Sequence, residues 1–118
     1  MDFDSGTPIW SQLVAEFTRR IATGEWAEGS RIPSVREIAA DVGVNPNTAQ
    51  RALAELERLE LCRSERTAGR FVTADPARLS ALRHELARRA TTDYIRTMRG
   101  LEIGLSETRE LLEQEWTP

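Results

Sequence analysis

Residues 43–53 read GVNPNTAQRAL and crowd side chains of one chemical kind onto the start of one helix. Asn45, Asn47 and Gln50 carry carboxamides, whose donor and acceptor together match an adenine edge. Arg51 offers the forked donors that match guanine, and the Thr48 methyl suits thymine. A helix start adds unpaired backbone N–H groups and the positive end of the helix dipole, both suited to phosphate. Capping such a helix takes one of these residues. Any other one, taken singly, is accounted for as a solvated surface group. Together they predict a surface that reads the base edges of double-stranded DNA.

Three further arginines extend the set. Arg36 falls at the start of the preceding helix, where Ser34 and Glu37 have the spacing of a capping box. A helix end held that way would present Arg36 to a phosphate or a guanine. Arg66 and Arg70 flank a hairpin tip, where they serve either solubility or contact with the minor groove or flanking phosphates. Other reactive types are sparse. His84, the single histidine, reads as a surface residue, and Cys62, the single cysteine, as a small buried apolar side chain. With no cysteine pair, nucleophile motif or glycine-rich phosphate loop, we expect neither an enzyme nor a bound metal or cofactor.

The elements that position these groups follow from punctuation and periodicity. Thr7-Pro8 predicts a helix start with threonine as the cap. Ile9, Leu13, Phe17 and Ile21 form its apolar stripe, and Gly24 its end. Residues 25–31 read as a loop with Trp26 tucked onto the core. Val35, Ile38, Ala39 and Val42 make a short stripe stopped by Gly43, and Asn45-Pro46 opens the next helix. Its predicted buried face is Ala49, Ala52, Leu53, Leu56 and Leu59. Two short helices joined by a glycine-bearing turn are the helix-turn-helix pattern.

The period then changes. Residues 61–65 and 70–73 read as two strands around Arg66-Thr67-Ala68-Gly69. Asp75-Pro76 opens a helix running to about Gly100, Gly104 interrupts, and Ser106 is placed to cap a last helix marked by Leu111, Leu112 and Trp116. The leucines of this tail either pack back on the first domain or pair with a second copy. A long helix followed by a short one buries its own stripe poorly, which favours a homodimer. The expected seam is Leu79, Leu82, Leu86, Ala90, Tyr94, Met98, Leu111 and Leu112.

The 118 residues suit a first domain at 1–75 and a helical appendage at 76–118. All 16 basic residues are arginine and the net charge is −3. Residues 31–73 hold seven arginines against six acids, a local +1. A basic face fits that balance; a polybasic binder does not. Neither a long apolar run nor a charged-then-apolar leader occurs, so we expect a cytoplasmic protein with no membrane partner.

Order and spacing also carry a likeness. PIWSQL at 8–13, SRIPSVREIAADVGVNPNTAQRALAELERL at 30–59 and GRFV at 69–72 resemble the GntR family of bacterial transcription regulators. The two-helix tail looks like that of the YtrA subfamily. The resemblance implies a homodimer on an inverted-repeat operator, more often a repressor than an activator, acting on its own operon or a transporter operon. In the family the arginine of the P-S-x-R-E motif contacts DNA, which implicates Ser34 and Arg36. The start of the recognition helix does the reading, matching Asn45, Asn47, Thr48, Gln50 and Arg51. The wing glycine matches Gly69, whose backbone would approach the minor groove. Trp10 stands where the family usually has tyrosine, and Thr67 where the wing often has glycine. The expected fold is mainly α with a small β-hairpin: a winged helix-turn-helix followed by a two-helix dimerisation tail, with any small-molecule effector left open. The alternative is a protein-interaction module, an antitoxin or adaptor, using the same fold without DNA.

Overall fold

Glycines in the left-handed region decide where the first helices stop. The computed structural model describes residues 1–117, in the order α1 (Ile9–Thr23), α2 (Val35–Val42), α3 (Pro46–Arg58), β1 (Cys62–Glu65), β2 (Gly69–Val72), α4 (Pro76–Gly100) and α5 (Leu105–Glu115). Gly24 (φ 82°) ends α1 and Gly43 (φ 74°) ends α2, each returning its N–H to a carbonyl of the helix behind it. The mainly helical fold with a small hairpin matches the sequence expectation.

The chain divides into two compact units, residues 1–82 and 83 onward. The division falls inside α4, about two turns beyond the expected position at 75/76, and the first unit keeps Leu79 and Leu82, each 2% exposed. Its core gathers Leu13, Phe17 and Ile21 from α1, Ile38 and Val42 from α2, and Ala49, Ala52, Leu53 and Leu56 from α3. Leu61 and Val72 close it from the hairpin side. Leu59 is only half-buried, and Ile9, expected on the stripe, is 45% exposed because it opens α1 at the free end of that helix.

Two expected caps do not form. Pro8, not Thr7, is the α1 cap, and no side chain bonds there. Gln12 instead ties the preceding segment to the helix: its amide donates to the Asp4 and Thr7 carbonyls while its oxygen accepts from the Asp4 N–H. Similarly α5 begins at Leu105 with Gly104 as its cap, which leaves Ser106 inside the helix. The Thr108 hydroxyl donates to the Gly104 carbonyl at 2.8 Å.

The hairpin pairs Cys62 with Val72 and Glu65 with Gly69 around a tip at 66–68. The loop before α2 adds a short third edge. Ile32 N–H donates to the Arg70 carbonyl, Val72 N–H donates to the Ser30 carbonyl, and Arg31 bridges Phe71. Residues 25–31 were expected to be loop alone; the pairing comes from a non-local partner that local pattern does not display.

The end of α1 carries a packed charge cluster. Trp26 stacks on Phe17 at 5.0 Å, as expected of a residue tucked onto the core, and the Arg20 guanidinium lies 5.5 Å over the Trp26 ring. Arg19 first, and then Arg20, hold the Glu16 carboxyl down from 4.5 to about 2. A lowered carboxylate pKa stabilises fully above its unfolded value, and the benefit disappears as pH falls through the folded value. Urea midpoints of wild type and Glu16→Gln should therefore differ most above pH 4.5 and converge toward pH 2. Equal midpoints across that range would show that the cluster adds nothing to stability.

Gly69 has φ 103°, and a Cβ there would stand 2.9 Å from the Arg31 Nε. Gly69→Ala is expected to cost about 1–3 kcal/mol in denaturant unfolding, chiefly through backbone strain. An unchanged stability would mean that the wing tip relaxes out of this conformation freely.

Candidate nucleic-acid interface

Two caps and one tight turn fix the helix-turn-helix. Ser34 Oγ accepts from the Glu37 N–H at 3.2 Å, which holds the start of α2. The expected capping box is only half formed, since the Glu37 carboxylate takes the Ser34 hydroxyl rather than a backbone N–H. After Gly43, the Val44 N–H donates back to the Ala39 carbonyl, and Asn45 Oδ1 then accepts from the Asn47 N–H at 2.8 Å. Pro46 occupies the first helical position, where its missing N–H costs nothing. The start of α3 is thereby held open to solvent on one side and packed against α1 and α2 on the other.

The candidate residues fall into distinct groups. Asn47 and Gln50 are exposed and their carboxamides make no hydrogen bond among the described residues. Arg36 and Arg66 are exposed and have no ion-pair or hydrogen-bond partner among them either. Arg51 is exposed, with its guanidinium carbon 4.2 Å over the Trp10 ring. Thr48 is half-buried at the flank of α3. Asn45 and Ser34 have their side-chain oxygens engaged as caps, so their backbone surroundings are what they offer a ligand.

Arg70 behaves differently from the expected hairpin-tip charge. Its side chain is only 19% exposed, and its Nε donates to Glu57 Oε1 at 2.7 Å. Alternation along β2 turns it toward α3, where it ties the wing to the helix. The Ser64 hydroxyl donates to the same oxygen, and Ser64 first and Arg70 next hold the Glu57 carboxyl below the usual range. Gly69 stands at the wing tip in its left-handed conformation with the Arg31 side chain beneath it.

Arg31 was not legible as a site residue. Its Nε donates to the Ala68 carbonyl at 3.0 Å, bracing the tip, and it shares a groove with Ser34, Val35 and Arg66. That groove joins the start of α2 to the wing. An arginine two residues before Pro33 carries no local signal of such a contact, which depends on the third-edge pairing.

The tail residues separate in the same way. Leu79 and Leu82, expected at a seam between copies, are covered by their own chain and have almost no surface left to offer. Met98 is also buried, at 8% exposed. Leu86, Tyr94 and Leu111 are half-buried, while Ala90 and Leu112 are exposed. Ile95, Leu101, Leu105 and Trp116 are exposed apolar groups that the predicted stripe missed. Among the described residues no cluster of ligating side chains fit for a metal occurs, and no helix is long and apolar enough to cross a membrane.

Comparison with known proteins agrees with this geometry. The profile of the bacterial regulatory proteins of the gntR family matches residues 10–72. The uncharacterized helix-turn-helix transcriptional regulator YhcF of Bacillus subtilis is 34% identical over 111 residues, 94% of this chain and 89% of its own. The transcriptional repressor YtrA of the same organism is 34% identical over 73 residues, 62% of this chain and 56% of its own. A GntR family transcriptional regulator from Listeria monocytogenes superposes with a TM-score of 0.86 at 35% identity, covering 95% of this chain and 98% of that one. The DNA-binding domain of AraR, solved in complex with its operator ORE1, gives 0.55 at 26% identity over 61% of this chain and 90% of that one. The chain belongs to the GntR family of bacterial regulatory proteins, which are DNA-binding transcriptional regulators.

Proposed function

We propose that this regulator represses transcription in the cytoplasm by binding an inverted-repeat operator as a homodimer, at its own operon or a transporter operon. The observation that carries this reading is the exposed start of α3. There Asn47, Gln50 and Arg51 keep their base-pairing groups unspent while Asn45 alone serves the cap. Helix α3 enters the major groove, with its N-terminal turn against the bases. Arg36 and the helix ends hold phosphates, and the wing tip at Arg66–Gly69 meets the flank. The operator complex of the AraR domain supports this docking, and the repressor named YtrA supports the sign of regulation.

The homodimer is supported by the tail. Ile95, Leu101, Leu105, Leu112 and Trp116 leave apolar surface in water on α4 and α5, which a second copy would cover. Leu86, Ala90 and Tyr94 continue that surface along α4. Leu112 is 44% exposed, so Leu112→Asp disturbs a seam more than the fold. Light scattering should give half the wild-type mass for this variant, with much weaker operator binding. An unchanged mass would remove Leu112 from the seam.

The function itself is tested by selecting bound fragments of the source genome with purified protein. Wild type should recover an inverted repeat, and Arg36→Ala should lose it. Recovery of no common sequence by the wild type would overturn the reading in favour of protein partners. On the recovered operator, Asn47→Ala or Gln50→Ala should each cost about 1–3 kcal/mol and relax preference at one base pair per half-site. A uniform loss across all sequences would mean that the side chain touches phosphate instead.

A further inference from the structure

We infer that Trp10, on the first turn of α1, is a positioning residue for base recognition. It holds the Arg51 guanidinium by its face and leaves the edge free to read DNA. This rests on the proposed reading of α3 as the base-contacting helix. The guanidinium carbon lies 4.2 Å from the centroid of the Trp10 ring. Arg51 has no carboxylate partner and no hydrogen bond among the described residues, which leaves the indole face to hold its guanidinium.

The geometry matters because an arginine can be fixed in two ways. A carboxylate binds the edge of the planar fork and consumes the N–H donors that would otherwise face a base. Arg58, two turns further along α3, is held that way, donating to Glu55 through both Nε and a terminal nitrogen. An aromatic ring binds the face and consumes none of those donors. Arg51 is thus restrained while its whole donor fork remains available. An unrestrained arginine gives up more rotamer freedom when it binds.

Trp10 is suited to the task because its own position is fixed. It is half-buried at the start of a helix whose Leu13 and Phe17 are fully buried, and α1 packs directly on α3. Asn47 precedes Arg51 by one helical turn on the same exposed face, so the restrained guanidinium stands beside a second reading group. A residue of α1, outside the helix-turn-helix proper, thereby shapes what α3 recognises.

The test uses the full chain and a duplex library with a randomised centre, read after selection by wild type, Trp10→Leu, Trp10→Phe, Arg51→Ala and Trp10→Leu/Arg51→Ala. Trp10→Leu keeps apolar bulk but removes the ring face. It should flatten preference at one base pair per half-site by roughly three- to thirty-fold, the range expected for losing such a stack. Preference elsewhere and the salt dependence should stay as in wild type. Trp10→Phe should restore part of the preference, and Trp10→Leu should add nothing once Arg51 is alanine. Without DNA, the Arg51 Nε proton should show a ring-current shift in NMR that Trp10→Leu abolishes.

Two results would overturn the proposal. One is an even loss of affinity at every position that adds to the Arg51→Ala effect, which would make Trp10 a packing residue. The other is an unshifted Arg51 Nε proton in wild type. If Arg51→Ala flattens one position and Trp10→Leu does not, the positioning role fails while the base-reading role survives. If wild type selects no motif at all, the reading of α3 fails and takes the positioning role with it.

Discussion

Everything the interface presents depends on α3 being buried on one side and bare on the other. Ala49, Ala52, Leu53 and Leu56 are fully buried, and two of the four are alanines. Small side chains there let α1 and α2 come close to the α3 backbone, so the helix is clamped without bulky residues on its flanks. Removing a buried Leu53 side chain would take a few kcal/mol from the same contact, of the order measured for leucine truncations in tight cores. The opposite side of α3 contributes little to the fold, which leaves Asn47, Gln50 and Arg51 available for chemistry. Stability and the proposed recognition thus fall on separate faces of thirteen residues.

What the sequence made legible was whatever local chemistry determines. Gly24, Gly43 and Asn45-Pro46 each require a particular backbone conformation or an unpaired N–H, and each sits where the pattern places it. Trp26 and Cys62 were also readable, because an aromatic beside a helix end and a lone small thiol in a strand have few alternatives. The illegible features depend on partners far along the chain. Pro8 rather than Thr7 opens α1, and the Thr7 carbonyl is taken by Gln12, five residues on. Arg31 reaches the wing across 37 residues of sequence. Leu79 and Leu82 have the spacing of a free stripe, and nothing local reveals that the first unit covers them.

Charge needs the same distinction between total and local. The chain is acidic overall, yet many carboxylates of the first unit are engaged by neighbouring arginines: Glu16 with Arg19 and Arg20, Glu55 with Arg58, Glu57 with Arg70. Among the described residues, the arginines of this unit that bond neither a carboxylate nor a backbone carbonyl are Arg36, Arg51 and Arg66, at the start of α2, the start of α3 and the wing tip. Net charge is a poor guide to the field at the surface when most of it is locally compensated. The uncompensated remainder is small in number, which suits a binder that relies on base contacts as well as phosphates.

Glu57 holds one more consequence. A single carboxylate oxygen on α3 accepts from Ser64 in β1 and from Arg70 in β2. Recognition helix and wing are therefore riveted at one point rather than hinged. On DNA docked as proposed, the distance between the groove that receives α3 and the flank that meets the wing becomes a fixed gauge. A duplex whose local twist or groove width departs from that gauge must deform to fit, and stiff sequences resist deformation more than flexible ones. The fold would then grade operators by their mechanics, at base pairs that no side chain touches.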